Sequence, residues 1–297
     1  MLYYPLYGIL YALSLLPLPV LYVLSDGLAL ILYYLLRYRR KIVRNNLQNA
    51  FPEKSLHEII QTEKSFYRFF TQWILETLKL LSISKNELKA RCQFTEEFQK
   101  IFFRHYQEKH NILVLMGHLG NWEWAGAAFH LYFPHKLSVL YHPLSNKTFD
   151  QLMKKIRTRM GMNVLPMQTA TRHILANSSS GQVFTFIADQ CPSLQNSFWM
   201  HFLNQETAVF YGPEKIMRKT QVIPVVVLVY PHPHKRGYYY IDAKEIIVPE
   251  KNTQENYPVM QIFMRTLEKA IKQFPAYWLW SHKRWKFKKQ ENEHILV

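Results

Sequence analysis

Between residues 111 and 188, short apolar runs of strand length alternate with amphipathic stretches of helical length. This alternation constrains the fold more than any other feature. The runs are NILVLM (111–116), KLSVLY (136–141), MNVLPM (162–167) and QVFTFIA (182–188), and the helical stretches between them are 121–131, 147–160 and 169–178. A strand apolar on both faces needs cover on both faces, and the connecting helices supply it. The pattern predicts an α/β fold, a mostly parallel central sheet flanked by helices. QVIPVVVLVY (221–230) adds a strand, and GYYYIDAKEIIV (237–248) reads as two more or one long bent one. A helix over 257–274 places Val259, Phe263, Leu267, Ala270 and Phe274 on one face and stops at Pro275.

The chain before residue 111 is helical in pattern. Residues 37–50 form a short basic amphipathic helix ending before Pro52. Ser55 and Glu58 make a capping box for a long, broadly apolar helix that includes Ile59, Phe66, Phe69, Phe70, Trp73 and Leu78. A further helix is expected near 95–108. Residues 1–25 carry no charged side chain, Asp26 is the only charge before Arg37, and RYRRKIVR (37–44) follows. A cleaved signal peptide is disfavoured, because a basic n-region is missing and the apolar run is too long. Three arrangements remain: a membrane span, a hairpin or tilted helix lying in one leaflet, or a buried helix pair. Pro17 and Pro19 interrupt the run and would kink or split a helix. The expected division is a membrane-anchoring segment over 1–36 and a single domain over 37–297, helical over 37–110 and α/β over 111–297.

Lys and Arg number 37 against 21 Asp and Glu, a net charge of +16, in a chain of 297 residues that is 48% hydrophobic. That apolar content excludes general disorder. The charge calls for an anionic partner: nucleic acid, a membrane surface or an acidic carrier. A second basic cluster, HKRWKFKK (282–289), interleaves with Trp278, Trp280 and Trp285, which suits an interfacial belt or a packed tail with solvated lysines. Only Cys92 and Cys191 are present, so a disulfide scaffold is excluded, and no Cys/His cluster has the usual zinc spacing.

Of nine glycines, Gly117, Gly120 and Gly126 fall in NILVLMGHLGNWEWAG (111–126). A strand enters a glycine-flanked turn, and Asn121 is placed to cap the following helix. Ligands of open α/β sheets bind beyond the carboxyl ends of strands, where His118 stands. With His118 on the turn and Glu123 in the first helical turn, the carboxylate can hold one imidazole nitrogen and leave the other to take a proton from a hydroxyl. The alternative is a histidine that merely caps the sheet edge. No HExxH helix marks a metal site.

GHLGNWEWAG resembles the HX4(D/E) motif of the bacterial lipid A late acyltransferases. RRKIVRNNLQNAFPE (39–53), YHPLSNKTFDQLMKKIRTRMG (141–161), FIADQ (186–190), AVFYGPEKIMRKTQVIPVVV (208–227) and FPAYWLWSHKRWKFK (274–288) resemble further blocks of that family, in order. The resemblance implies transfer of a fatty acyl group from a thioester, usually of acyl carrier protein, to a hydroxyl of a lipid A precursor. It implies His118 as general base and Glu123 as its orienting group. Candidates for oxyanion or substrate contacts are Asn121, His142, Arg157, Arg159, Asp189, Gln190 and Gly212; Arg284, Trp285 and Lys286 are basic interface candidates. His142 stands where the family often has Arg, and Ala276 and Tyr277 replace its usual glutamine region. The thioester is already activated, so no metal or prosthetic group is implied. The implied partners are an acidic acyl carrier protein, anionic membrane lipids and a phosphorylated glycolipid acceptor, not nucleic acid. The implied location is the cytoplasmic face of a bacterial inner membrane. Competing readings are another glycolipid, phospholipid or aminolipid acceptor, a non-enzymatic basic protein binding membranes or nucleic acid, and a metal-dependent hydrolase.

Overall fold

A computed structural model describes residues 3–177, 180–248, 257–289 and 295–296. The chain starts with α1 (Tyr3–Leu15) and α2 (Leu18–Leu30), separated at Pro17, and α2 runs on into a π-helical turn, Ile31–Leu35. Leu18, Leu21, Ser25, Ala29 and Tyr33 are buried. Their spacing of three and four residues makes one stripe. After α3 (Arg40–Ala50), that stripe packs along α4 (Leu56–Lys79). Ser55 and Glu58 cap α4 reciprocally, as the sequence indicated. Lys79 Nζ donates to the carbonyls of Ser14 and Leu16, both at 2.9 Å, and Thr71 Oγ1 donates to Ser25 O at 2.9 Å. The α1–α2 elbow is therefore bonded to α4 just before α2 begins and again within α2 at Ser25.

A short α5 (Lys85–Arg91) leads into β1 (Cys92–Phe94) and α6 (Glu96–Gln107). Then come β2 (Ile112–Met116), α7 (Trp122–Phe129), β3 (Leu137–Tyr141), α8 (Lys147–Thr158), β4 (Asn163–Pro166), α9 (Ala170–Ala176) and β5 (Val183–Ile187). The expected helix over 169–178 thus closes two residues early, and residue 178 lies outside the described residues. A hairpin, β6 (Ser197–Phe202) and β7 (Gln205–Phe210), precedes α10 (Gly212–Thr220), β8 (Ile223–Pro231), β9 (Tyr239–Glu245), α11 (Pro258–Gln273) and β10 (Ile295–Leu296).

The main sheet has seven strands in the order β1-β9-β8-β2-β5-β3-β4. Its pairings are parallel except β8 with β9. Along β2, Val114 and Met116 join the core on one face and Leu113 and Leu115 the core on the other. This two-sided burial is what the unbroken apolar runs demanded. The 237–248 stretch is one strand, β9. β1, inside the part expected to be purely helical, pairs with β9 at the sheet edge. The β6–β7 hairpin, which lies outside the main sheet and pairs with β10, is another element the sequence reading did not anticipate.

Candidate active site

β2 and β5 are parallel neighbours with Met116 opposite Ile187. His118 and Asp189 each stand two residues past those ends, so the register brings them together. Asp189 Oδ1 lies 2.6 Å from His118 Nδ1, and Asp189 Oδ2 accepts the His118 backbone N–H at 2.7 Å and the Trp278 indole N–H at 2.8 Å. The Asp189 side chain is 1% exposed and that of His118 15%. Burial alone would push the Asp189 carboxyl up; the facing imidazole and the hydrogen bonds from His118 and Trp278 outweigh it and hold the carboxyl below its ordinary range. Gly117 is needed here: a Cβ would lie 2.6 Å from a Leu267 methyl and 3.1 Å from Asp189 Oδ2. Nδ1 faces the acid, so Nε2 is left toward the cleft, 3.3 Å from the side-chain amide of Gln190.

Glu123 does not orient His118, and this corrects the sequence reading. Its carboxylate takes a bidentate pair from Arg157, Nε–Oε2 at 3.0 Å and Nη2–Oε1 at 2.6 Å. The physical reason is placement: α8 lays Arg157 beside the first turn of α7, while Asp189 already occupies His118 Nδ1. Burial would lower the Arg157 guanidinium, but the Glu123 charge and hydrogen bonds raise it above its ordinary value. Arg157 Nη1 is not used by this pair.

Both pairs open on one cleft of about 250 Å³, whose wall also includes Trp122, His142, Lys154 and Gln190. Trp122 stands edge-on to the His118 ring, centroids 4.8 Å apart. Trp122, Glu123 and Arg157 also line a narrow apolar bore of about 40 Å³ that runs under α7 among Phe98, Phe129, Val139 and Met162. The ion pair therefore lies between a polar cleft and a small apolar cavity, lining both.

The remaining candidates have other placements. Asn121 is buried; it caps α7 through the Trp124 N–H at 2.9 Å and donates to Glu76 Oε2 at 2.7 Å. Glu76, fully buried and absent from the sequence reading, also accepts from Tyr22 (3.0 Å), Gln72 (2.8 Å) and Tyr239 (2.6 Å). Arg159 points away from the cleft and donates to Leu80 O and Ile83 O at 2.8 and 2.9 Å, beyond the end of α4. Gly212 opens α10 against Phe210 and does not line the cleft. Arg284 is not a surface contact. It is 2% exposed, its guanidinium has no hydrogen-bond partner among the described residues, and burial pushes it down to about 10 against the opposing pull of Cys191 and Asp189. Trp285 donates to Thr207 Oγ1 at 2.7 Å, while Lys283, Lys286 and Lys288 are exposed beside Asn45 and Asn49. In the first basic run, Arg40 and Arg44 are held by buried Glu63 and Arg39 by Ser281 O, which leaves Arg37 and Lys41 as its cations with no such tie among these contacts.

Fold and site define an α/β protein with a buried acid–histidine pair at the carboxyl end of a parallel sheet, beside a polar cleft and a small apolar cavity. The chain belongs to the bacterial lipid A biosynthesis acyltransferase family, whose model matches residues 2–287. It is similar to the lipid A biosynthesis lauroyltransferase of Escherichia coli K12, 24% identical over 281 residues that cover 94% of this chain and 89% of the relative. The lipid A biosynthesis palmitoleoyltransferase of the same strain and a lipid A biosynthesis acyltransferase of Shigella flexneri are each 24% identical over 285 residues, with the same coverage.

Proposed function

We propose that this acyltransferase moves a fatty acyl group from an acyl thioester, carried by an acidic acyl carrier protein, to a hydroxyl of a phosphorylated lipid A precursor. The observation that carries the reading is the His118–Asp189 pair beside a cleft that shares the Trp122, Glu123 and Arg157 wall with a small apolar cavity. Asp189 fixes the Nδ1–H tautomer, and the acceptor hydroxyl displaces Gln190 from Nε2. As the hydroxyl oxygen bonds to the thioester carbonyl carbon, its proton passes to Nε2. The carbon–sulfur bond then breaks, and the thiolate leaves with that proton. Arg157, pinned by Glu123, offers Nη1 to the carbonyl oxygen as negative charge develops there.

The acyl chain enters the bore. At about 40 Å³ the cavity has room for only a few water-sized groups, at roughly 10–15 Å³ each. Occupancy therefore requires side chains to swing aside. Met162, unbranched and flexible, is the one best suited to move.

The N-terminal helices lie in the membrane interface and do not cross it. The apolar segment Leu18–Leu35 is long enough to span, but it is docked along α4, which carries Glu58, Glu63, Lys64, Arg68, Glu76 and Lys79. Spanning would draw these groups into hydrocarbon at roughly 3 kcal/mol for each charge at mid-bilayer. The outer face, with Ile9, Leu15, Val20, Val23, Leu30, Ile31 and Leu35 exposed, instead enters one leaflet. Arg37, Lys41 and the C-terminal lysines face anionic headgroups and carrier protein at the cytoplasmic side of the inner membrane.

The test is reconstitution of purified protein in vesicles with acyl carrier protein thioester and a lipid A precursor lacking one chain. A product heavier by one acyl group is expected, with at least about 100-fold loss in His118→Ala. Wild-type turnover by that variant overturns the assignment. Lipid mass spectrometry of a deletion strain decides the acceptor: intact lipid A alongside another missing lipid points to a different acceptor.

A further inference from the structure

At the amino end of β2, across the sheet from the catalytic turn, α6 closes in a tight C-terminal turn. His110 N–H donates to His105 O at 2.9 Å, and Lys109 N–H to Tyr106 O at 3.1 Å. These are the two bonds of the Schellman motif, and Lys109 takes the left-handed conformation (φ +57°) that glycine usually fills. The motif sets residue 110 against residue 105, normally as an apolar contact. Here both are histidines, and Glu108 lies between them.

Three ligand atoms converge. His105 Nδ1 and His110 Nδ1 are 3.4 Å apart, and Glu108 Oε2 lies 3.1 Å from His110 Nδ1 and 3.5 Å from His105 Nδ1. A tetrahedral ion with ligands at 2.0–2.1 Å separates them by about 3.3 Å. All three distances fall close to that edge. The other nitrogen of His105, Nε2, lies 3.1 Å from Glu245 Oε2 at the end of β9, and Arg104 holds the same carboxylate while its Nη2 stands 3.1 Å from Nε2. A carboxylate behind a ligating imidazole is the usual outer support of a metal site. With Nε2–H given to Glu245, His105 Nδ1 presents a lone pair to a carboxylate oxygen and to a second imidazole. One proton on His110 Nδ1 satisfies only part of this arrangement, whereas a cation satisfies all of it.

We propose that His105, Glu108 and His110 bind a divalent cation of the zinc type, with a solvent-facing fourth position. The His105 side chain is 5% exposed, and those of Glu108 and His110 about half exposed, so the site is reachable. The ion fastens the end of α6 to the start of β2 and, through Glu245, to β9. It lies at the opposite end of β2 from His118 and serves as a structural clamp.

The experiment uses tag-free full-length protein and Zn²⁺ in competition with a fluorescent chelator, with Co²⁺ absorption as a second readout. One equivalent should bind with tetrahedral-type visible bands, and Zn²⁺ should raise the melting temperature. His110→Ala and Glu108→Ala, both at solvent-facing positions, should lose at least about tenfold in affinity along with the melting shift, and Glu245→Gln about tenfold in affinity. His232→Ala, at the His232–His234 contact, should bind as wild type. Absence of stoichiometric binding, or undiminished binding in His110→Ala, overturns the proposal.

Discussion

Asp189 grips His118 at two points: Oδ1 faces the ring at Nδ1 (2.6 Å) and Oδ2 takes the backbone N–H (2.7 Å). The side chain and the peptide that carries it are thus fixed by a single carboxylate. Asp189→Asn should lower kcat by about 10²–10⁴-fold, with far less change in KM for the acyl donor. Asp189→Ala should add nothing in a His118→Ala background, whereas Glu123→Ala should still depress the residual rate. Steady-state kinetics of the double variants checks this, and the reverse pattern would restore Glu123 as the partner.

The same contact sets an acid limit. The Asp189 carboxyl is held below its ordinary value of 3.8. A depressed acid contributes stability that is complete above the unfolded value and is lost as pH falls through the folded one. The gap in urea midpoint between wild type and Asp189→Asn should therefore hold above about pH 4 and narrow below it. A gap that narrows on raising the pH instead would contradict the assignment.

Arg157 and Glu123 are both largely buried, with side chains 19% and 4% exposed. Arg157→Ala should cost about 3 kcal/mol, because it strands a buried carboxylate. Arg157→Ala with Glu123→Leu should recover much of that stability but not the activity. Thermal denaturation beside turnover separates the two effects.

Gly126 lines the bore, and a Cβ there would sit 2.9 Å from Met162 Sδ. Gly126→Leu should shift preference toward shorter acyl donors. Each methylene denied burial costs about 0.8 kcal/mol, roughly fourfold in selectivity. Competition between donors of different length is the measurement, and unchanged preference removes the bore as the acyl site.

Val23 is 72% exposed and Ile31 45%, on the outer face of the N-terminal helices. Val23→Glu with Ile31→Glu should weaken vesicle binding more than tenfold, since each lost side chain is worth at least about 1 kcal/mol, while leaving the melting temperature nearly unchanged. Retained binding would remove this face from membrane contact.

The parallel sheet was legible because strands buried on both faces leave unbroken apolar runs, and α4 because Ser55 and Glu58 announce its start. The partner of His118 was not. Asp189 lies 71 residues away in sequence, and its proximity follows from β5 sitting beside β2 while β3 and β4 are set further out, a strand order that periodicity does not encode. Glu123 was misassigned because nearness in sequence favoured it, whereas Arg157 claims it through helix packing. β1 and β10 were too short to register, and Arg284 looked like surface charge because its neighbours are lysines.

Glu76 receives Tyr22 from α2 on one oxygen and Asn121, the residue capping α7, on the other. The apolar N-terminal segment is consequently tied, through Glu76, to the residue that caps α7 and is not a detachable tether. Trimming the first thirty-six residues to obtain a water-soluble enzyme would withdraw Tyr22 from that carboxylate and loosen the helix that carries Glu123.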